Sequence, residues 1–302
     1  MIVSCGEALV DMVPHPVAGG APFNVAVAAA RLGVPAAFVG GISTDQHGEM
    51  LLDHLRANGV DVSVCQRFEA PTARAIVEHT PRLRFRFEGD GTADTLLAEA
   101  DLSALTGGPH ILHAGALGLF RGTTASTLVD LAERHEGLVS LDPNVRPEII
   151  DDRDIWMGFH DRWLAVTDVY KGSDEDLDWI WPGRSALDTA EELLSAGIGV
   201  VIVTRGSDGI TVVTADGDAA IPAPKVEVVD TVGAGDSLIA SVLASLVELG
   251  ADRGREHLDA LGLATWVDVA DRAVQVAAIT CTRVGADTPH RHEFDWPDLA
   301  VD

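Results

Sequence analysis

Short extended runs of apolar residues alternate along this chain with longer segments whose apolar positions recur every three or four residues. The extended runs fall at 2–10, 36–39, 111–113, 139–142, 162–167 and 200–204, and the helical patterns at 24–32, 48–58, 124–135 and 186–196. This is the βαβ rhythm of a mostly parallel sheet with helices on both faces. It predicts a three-layer α/β/α fold, and no break in it marks a second domain, so residues 1–302 are read as one. One region departs from the rhythm. Residues 72–78 and 83–87 are extended runs joined by His79-Thr80-Pro81-Arg82, and Leu83, Phe85 and Phe87 alternate with Arg84 and Arg86. A period of two with one apolar and one cationic face predicts a hairpin within 68–92, either a small β lid over a site or an ordinary edge hairpin.

Composition narrows the function classes. A hydrophobic content of 47% over 302 residues supports a substantial core. The formal charge of −26 leaves no basic surface for nucleic acid or an anionic membrane. Any phosphate must then be held by backbone N–H groups, a helix N-terminus or bound cations. Cys5, Cys65 and Cys281 are odd in number and widely spaced, which fits reduced thiols rather than a disulfide framework. The start MIVSCGEALVD has no basic or long apolar stretch, and no window reaches the roughly 18 apolar residues of a membrane span. Together these predict a cytoplasmic protein. The histidines, His290-Arg291-His292 included, show no zinc spacing. The absence of a Gly-x-Ser-x-Gly elbow, and of Gly-x-Gly-x-x-Gly after the first strand, sets aside hydrolase and dinucleotide readings.

The sharpest candidate for chemistry is Asp230-Thr231-Val232-Gly233-Ala234-Gly235-Asp236-Ser237, which leads into a helical pattern over 238–244. Small residues at 233–235 let the backbone approach a ligand, and N–H groups at a helix start converge on an anion. A carboxylate beside such a hole is suited to accept a proton from an attacking hydroxyl. The plain alternative is a Gly-rich loop with an Asp helix cap. No Lys-Ser/Thr follows the glycines, so this is not a Walker loop.

Four further segments are weaker alone. Gly19-Gly20-Ala21-Pro22-Phe23-Asn24 permits close approach to a ligand, and Asn24 both donates and accepts hydrogen bonds, as a polyol requires, or simply caps a helix. Asp11 and the turn Asp142-Pro143-Asn144-Val145-Arg146-Pro147 follow strands, where open α/β sheets place their binding crevice, although a turn bonding its own backbone is the alternative. Lys171-Gly172-Ser173-Asp174-Glu175-Asp176 opens a helix with acidic residues that serve its dipole or a Mg²⁺ hydration shell. Thr204-Arg205-Gly206-Ser207-Asp208-Gly209 is a strand-ending turn able to border a nucleotide.

Taken in this order, these segments resemble the ribokinase-like (PfkB-type) carbohydrate kinase family over nearly the whole chain. Residues 19–26, Gly-Gly-Ala-Pro-Phe-Asn-Val-Ala, are similar to its N-terminal signature, and 230–236 to its C-terminal Asp-Thr-x-Gly-Ala-Gly-Asp. The resemblance implies a ribokinase-like fold, ATP as donor, Mg²⁺, and a small sugar as acceptor. It makes Asp236 the catalytic base and the amides of Gly233, Ala234 and Gly235 the anion hole. It places Asp11, Gly19, Gly20, Asn24, Asn144 and Arg146 at the sugar, and Lys171, Thr204, Gly206 and Gly209, with Gly233 and Gly235, at the nucleotide. Asp174 or Glu175 would act on Mg²⁺ through water, and K⁺ is left open around Asp230, Val232 and a loop near Gly285.

Residues 6–11, 142–147 and Lys171-x-Ser173-x-Glu175 are most similar to the fructokinase and 2-keto-3-deoxygluconate kinase branch. Fructose is the expected acceptor; 2-keto-3-deoxygluconate, ribose or a nucleoside are the alternatives, and a catalytically silent binding protein is the alternative of another class. Two departures bear on this. Only seven residues, 12–18, separate Asp11 from Gly19, which predicts a reduced lid. Gly89 stands where such fructokinases carry an Arg, and Arg86 is the residue expected to compensate. Homodimerisation through lid sheets, usual among such proteins, is left open.

Overall fold

The computed structural model describes residues 1–13, 15–79, 83–99, 102, 105–108, 110–297 and 299. The run at 2–10 is two strands: β1 (Ile2–Cys5) and β2 (Leu9–Val13). Gly6 breaks it at φ 150°, where a Cβ would lie 2.6 Å from the Pro22 ring. β3 (His15–Gly19) pairs back on β2. Helix α1 (Ala21–Arg31) follows Gly20, with Pro22 in the first turn, where its missing N–H costs no hydrogen bond. Then come β4 (Ala36–Val39), β5 (Gly41–Ser43) and α2 (Gln46–Ala57), whose cap Asp45 accepts from the Gly48 N–H at 2.8 Å. β6 (Gln66–Phe68) pairs with β5. β7 (Ala73–His79) and β8 (Leu83–Glu88) form the expected antiparallel pair, while residues 80–82, expected as its turn, lie outside the described residues.

β9 (Ile111–Gly115), α3 (Gly122–Ala132), β10 (Leu138–Asp142) and α4 (Arg153–Leu164) continue the alternation. The extended run expected at 162–167 is corrected here: it is the end of α4 and the turn after it, and the strand is β11 (Val169–Ser173). Trp156, His160 and Trp163 recur at helical spacing on the buried face of α4, so the apolar residues at its end belong to a helix stripe. The remaining elements are α5 (Asp174–Ile180), α6 (Ala186–Ser195), β12 (Val200–Thr204), β13 (Ile210–Thr214), β14 (Gly217–Ile221), α7 (Ala234–Glu248), α8 (Arg255–Asp259) and α9 (Leu263–Cys281).

The main sheet has the order β14-β13-β12-β11-β10-β9-β1-β4, parallel from β12 to β4 and antiparallel at the β13–β14 edge. Ile2, Ile111, Leu138, Val169 and Val200 pack in one core with α1, α7 and α9. Their neighbours Val3, Leu112, Val139, Tyr170 and Val201 pack in another with α3, α4 and α6. The period of two along each strand thus divides the apolar residues between two helical layers. The parallel strands β1, β10, β11 and β12 all end on one side, which opens the binding crevice there.

A second sheet has the order β3-β2-β7-β8. The short span 12–18, expected to leave a reduced lid, closes a tight hairpin with Met12 opposite Pro16, and β2 then pairs in parallel with β7. Four strands stand where the pattern pointed to two, because a hairpin needs no long excursion. Among the described residues no helix is long and apolar enough to cross a membrane.

Candidate active site

The turn before α7 gathers the first part of the site. Gly233 is the N-cap at φ 76°, and a Cβ there would lie 2.4 Å from the Ala286 Cβ, so both its conformation and its space demand glycine. A Cβ on Gly235 would lie 3.0 Å from the Lys171 ammonium. The Ala234 N–H donates to the Thr231 carbonyl at 3.3 Å; N–H groups at a helix start otherwise lack an intrahelical acceptor, and the helix dipole adds to their pull on an anion.

Asp236 lies in that first turn, buried, and its Oδ2 accepts from Asn24 Nδ2 at 2.7 Å. Burial, with help from the Asp142 charge, raises its pKa to about 6 against the Asn24 hydrogen bond, Lys171 and Arg146. On the adjacent strands β10 and β11, Asp142 Oδ2 accepts from Lys171 Nζ at 2.8 Å, both groups being buried. Burial opposes the Lys171 charge, but Asp142, Asp176 and Asp236 outweigh it and hold the ammonium above its ordinary pKa.

Two cavities meet at this point. One, of about 430 Å³, is walled by Asp11, Gly20, Asn24, Phe87, Gly233 and Asp236. The other, of about 1210 Å³, is walled by Asp174, Glu175, Thr204, Gly206, Gly209 and Ala234. Asn144, Arg146, Lys171, Thr231 and Gly235 line both. Nearly every residue singled out in the sequence is therefore brought to one crevice. Gly19 stands behind the wall: a Cβ there would lie 2.5 Å from Asp11 Oδ2, so it makes room for that carboxylate. Asp230 accepts from the Val232 N–H at 3.1 Å and the Gly285 N–H at 2.8 Å, which ties those three residues together.

The family follows from the match of the whole chain. The sequence model described as pfkB family carbohydrate kinase matches residues 14–293. The chain belongs to that family. A fructokinase of Rhizobium leguminosarum bv. trifolii is 40% identical to it over 259 residues, 82% of this chain and 79% of that protein. The structure of a fructokinase with bound ATP from Xylella fastidiosa superposes with a TM-score of 0.85 at 28% identity, covering 94% of this chain and 93% of that one. Aminoimidazole riboside kinase from Salmonella enterica gives 0.83 at 26% identity, covering 97% of each. This pfkB chain is a sugar kinase of ribokinase-like fold.

Several residues of this kinase carry the site without having been singled out as functional. Glu7 is buried on the wall of the smaller cavity, where its oxygens accept from the Ala21 N–H at 3.1 Å and the Gly118 N–H at 2.9 Å. Burial raises its pKa to about 8 in spite of those donors. The available signal was a glutamate inside an otherwise apolar run. Asp176 accepts from the Val145 N–H at 2.8 Å and from the Ser173 N–H and hydroxyl, so it locks the turn carrying Asn144 and Arg146 to the start of α5.

Arg86 is exposed, pairs with Glu88 and is not on the wall of either cavity. Arg121 instead occupies the space beside Gly89: it bonds the Gly89 carbonyl, lies 4.8 Å over the Phe87 ring and pairs with Asp94 at 2.9 Å. A Cβ on Gly89 would fall 2.5 Å from the Arg121 guanidinium. Since Phe87 lines the smaller cavity, Arg121→Ala is expected to raise the acceptor KM several-fold with a smaller change in kcat, the loss of one cation–π contact being about 0.5–2 kcal/mol. Steady-state kinetics check this, and an unchanged KM would contradict it.

Proposed function

We propose that this kinase transfers the γ-phosphate of ATP to a hydroxyl of free fructose, with Asp236 as general base. The observation that carries the reading is the junction: a cavity holding a buried carboxylate meets a larger one at the Gly233–Gly235 helix start. The acceptor sits in the smaller cavity against Asp11, Gly20, Asn24, Asn144 and Arg146. ATP lies in the larger one, bordered by Thr204, Gly206 and Gly209, with its γ-phosphate at Gly235 and Lys171. Asp236 takes the hydroxyl proton, the oxygen lone pair forms the new bond to phosphorus, and the bond to the β-phosphate oxygen breaks with its electron pair leaving on ADP. The α7 N–H groups and Lys171 neutralise charge on the phosphoryl oxygens.

Asp174 and Glu175 present hard oxygen donors to the larger cavity and would hold Mg²⁺ through water, where the ion would screen phosphate charge. K⁺ would bind where Asp230 draws Val232 and Gly285 together, next to the Ala286 contact of Gly233. Residues 68–92 act as part of a lid within one kinase domain, since Ala75 and Phe87 line the acceptor side. The enzyme works in the cytoplasm, where ATP and reduced thiols go together.

Fructose is favoured by the relatives named fructokinase, and the riboside kinase neighbour sets the main competitor. The test is kcat/KM over fructose, 2-keto-3-deoxygluconate, ribose and ribosides. The highest value is expected for fructose; a higher one for another acceptor would reassign the substrate, and binding without turnover for all would make the protein a silent binder. In the same assay kcat/KM should rise with pH through an apparent pKa near 6, because only the Asp236 carboxylate accepts the proton. A profile flat through that pH would contradict the assignment.

A further inference from the structure

Asp142 is a buried carboxylate beside the junction, to which the proposed chemistry gives no task. Register puts Leu141 of β10 opposite Tyr170 of β11, which brings the next residues, Asp142 and Lys171, side by side at the carboxyl end of the sheet. Only one carboxylate oxygen of Asp142 is used: Oδ2 takes the Lys171 ammonium at 2.8 Å, while Oδ1 is buried with no hydrogen-bond partner. A buried ion pair is a poor device for stability alone, and a half-satisfied carboxylate is poorer. Its partner, however, stands against the Gly235 backbone where the two cavities join.

We infer that Asp142 is a positioning residue for phosphoryl transfer, holding the Lys171 ammonium against the Gly235 turn so that it faces the transferring group. The inference rests on the kinase reading. Asp142 acts on the base as well as on the lysine. The groups that act on Asp236 are Asn24 from α1, Asp142 and Arg146 from β10 and its turn, and Lys171 from β11, while Glu7 and Asp11 share its cavity wall; Asp176 of α5 acts on Lys171 and Asp142. Asp142 raises the pKa of Asp236, whereas Lys171 lowers it. Loss of the Asp142 charge, and release of Lys171 toward Asp236, both favour the Asp236 carboxylate and move its titration to lower pH.

Asp142→Asn in the full chain with Mg-ATP is expected to lower kcat roughly 10²-fold, leave the acceptor KM near wild type and shift the acid limb of kcat/KM to lower pH. Asp142→Glu keeps the charge, so its acid limb should stay near the wild-type position with part of kcat recovered. A loss confined to KM, or an Asp142→Asn acid limb that does not move, would overturn the inference. The chain has two lysines, Lys171 and Lys225, so NMR of ¹⁵N-labelled lysine resolves the pairing without any turnover. Lys171 should lose its proton at lower pH in Asp142→Asn while Lys225 stays; an unmoved Lys171 would contradict the holding role. If Asp142→Asn folds poorly, the Asp142→Asn/Lys171→Met pair removes the unpaired buried cation. Turnover equal to that of Lys171→Met supports one coupled unit, and a further independent loss argues against it. Wild-type turnover in the same assay reads the kinase assignment separately.

Discussion

Asp236→Asn is expected to lower kcat by roughly 10²- to 10⁴-fold while leaving ATP affinity and the melting temperature in place or slightly raised. The amide oxygen of the new Asn still accepts from Asn24, so the 2.7 Å contact between α1 and α7 is retained. The stability sign follows from the raised pKa. An aspartate that holds its proton up to about pH 6 in the fold favours the folded state while protonated, and that benefit is lost as pH rises through this value. A neutral side chain escapes the penalty at neutral pH. Kinetics, calorimetric titration with ATP and thermal melts separate the effects, and near-wild-type turnover would remove Asp236 from the chemistry.

Gly233→Val should be nearly as severe, by a different route. A β-branched residue at φ 76° is a steric outlier, costing about 1–3 kcal/mol. Its Cβ would also overlap Ala286, 2.4 Å away, so the whole turn must shift. Since the proposed anion hole is made of that turn's backbone, turnover is expected to fall at least about 10²-fold and the melting temperature to drop. Gly59→Ala is the matched control: it shares a left-handed φ of 77° but has nothing within 4 Å of the added carbon and lines neither cavity. It should show only the conformational cost of about 1–2 kcal/mol. Equal losses of turnover in the two variants would mean that the Gly233 contact with Ala286 is not what matters.

The layered fold was legible because buried parallel strands and amphipathic helices each leave a periodic trace. The residues that gather in the candidate site were legible where chemistry restricts residue type, as at Gly233, Gly235 and Asp236, or in the Asp142–Pro147 turn. What escaped depended on contacts between distant segments. The pairing of β2 with β7 joins Leu9 to Ala73, and no local pattern announces it. The break at Gly6 is set by a Pro22 ring sixteen residues on. Arg121 reaches Gly89 and Asp94 from the turn before α3, so it leaves no trace near the lid strand, where Arg86 is the nearest arginine to Gly89 in sequence. Leu164, Ala165 and Val166 look extended in isolation and fall into place only as the continuation of the Trp156, His160 and Trp163 stripe of α4.

The most direct test of the account is ADP release from Mg-ATP on addition of fructose, with Asp236→Asn as the blank. The account predicts fructose-dependent release by the wild-type chain that is lost in the variant. Release that continues at a similar rate in Asp236→Asn, or that takes no notice of fructose, would contradict it.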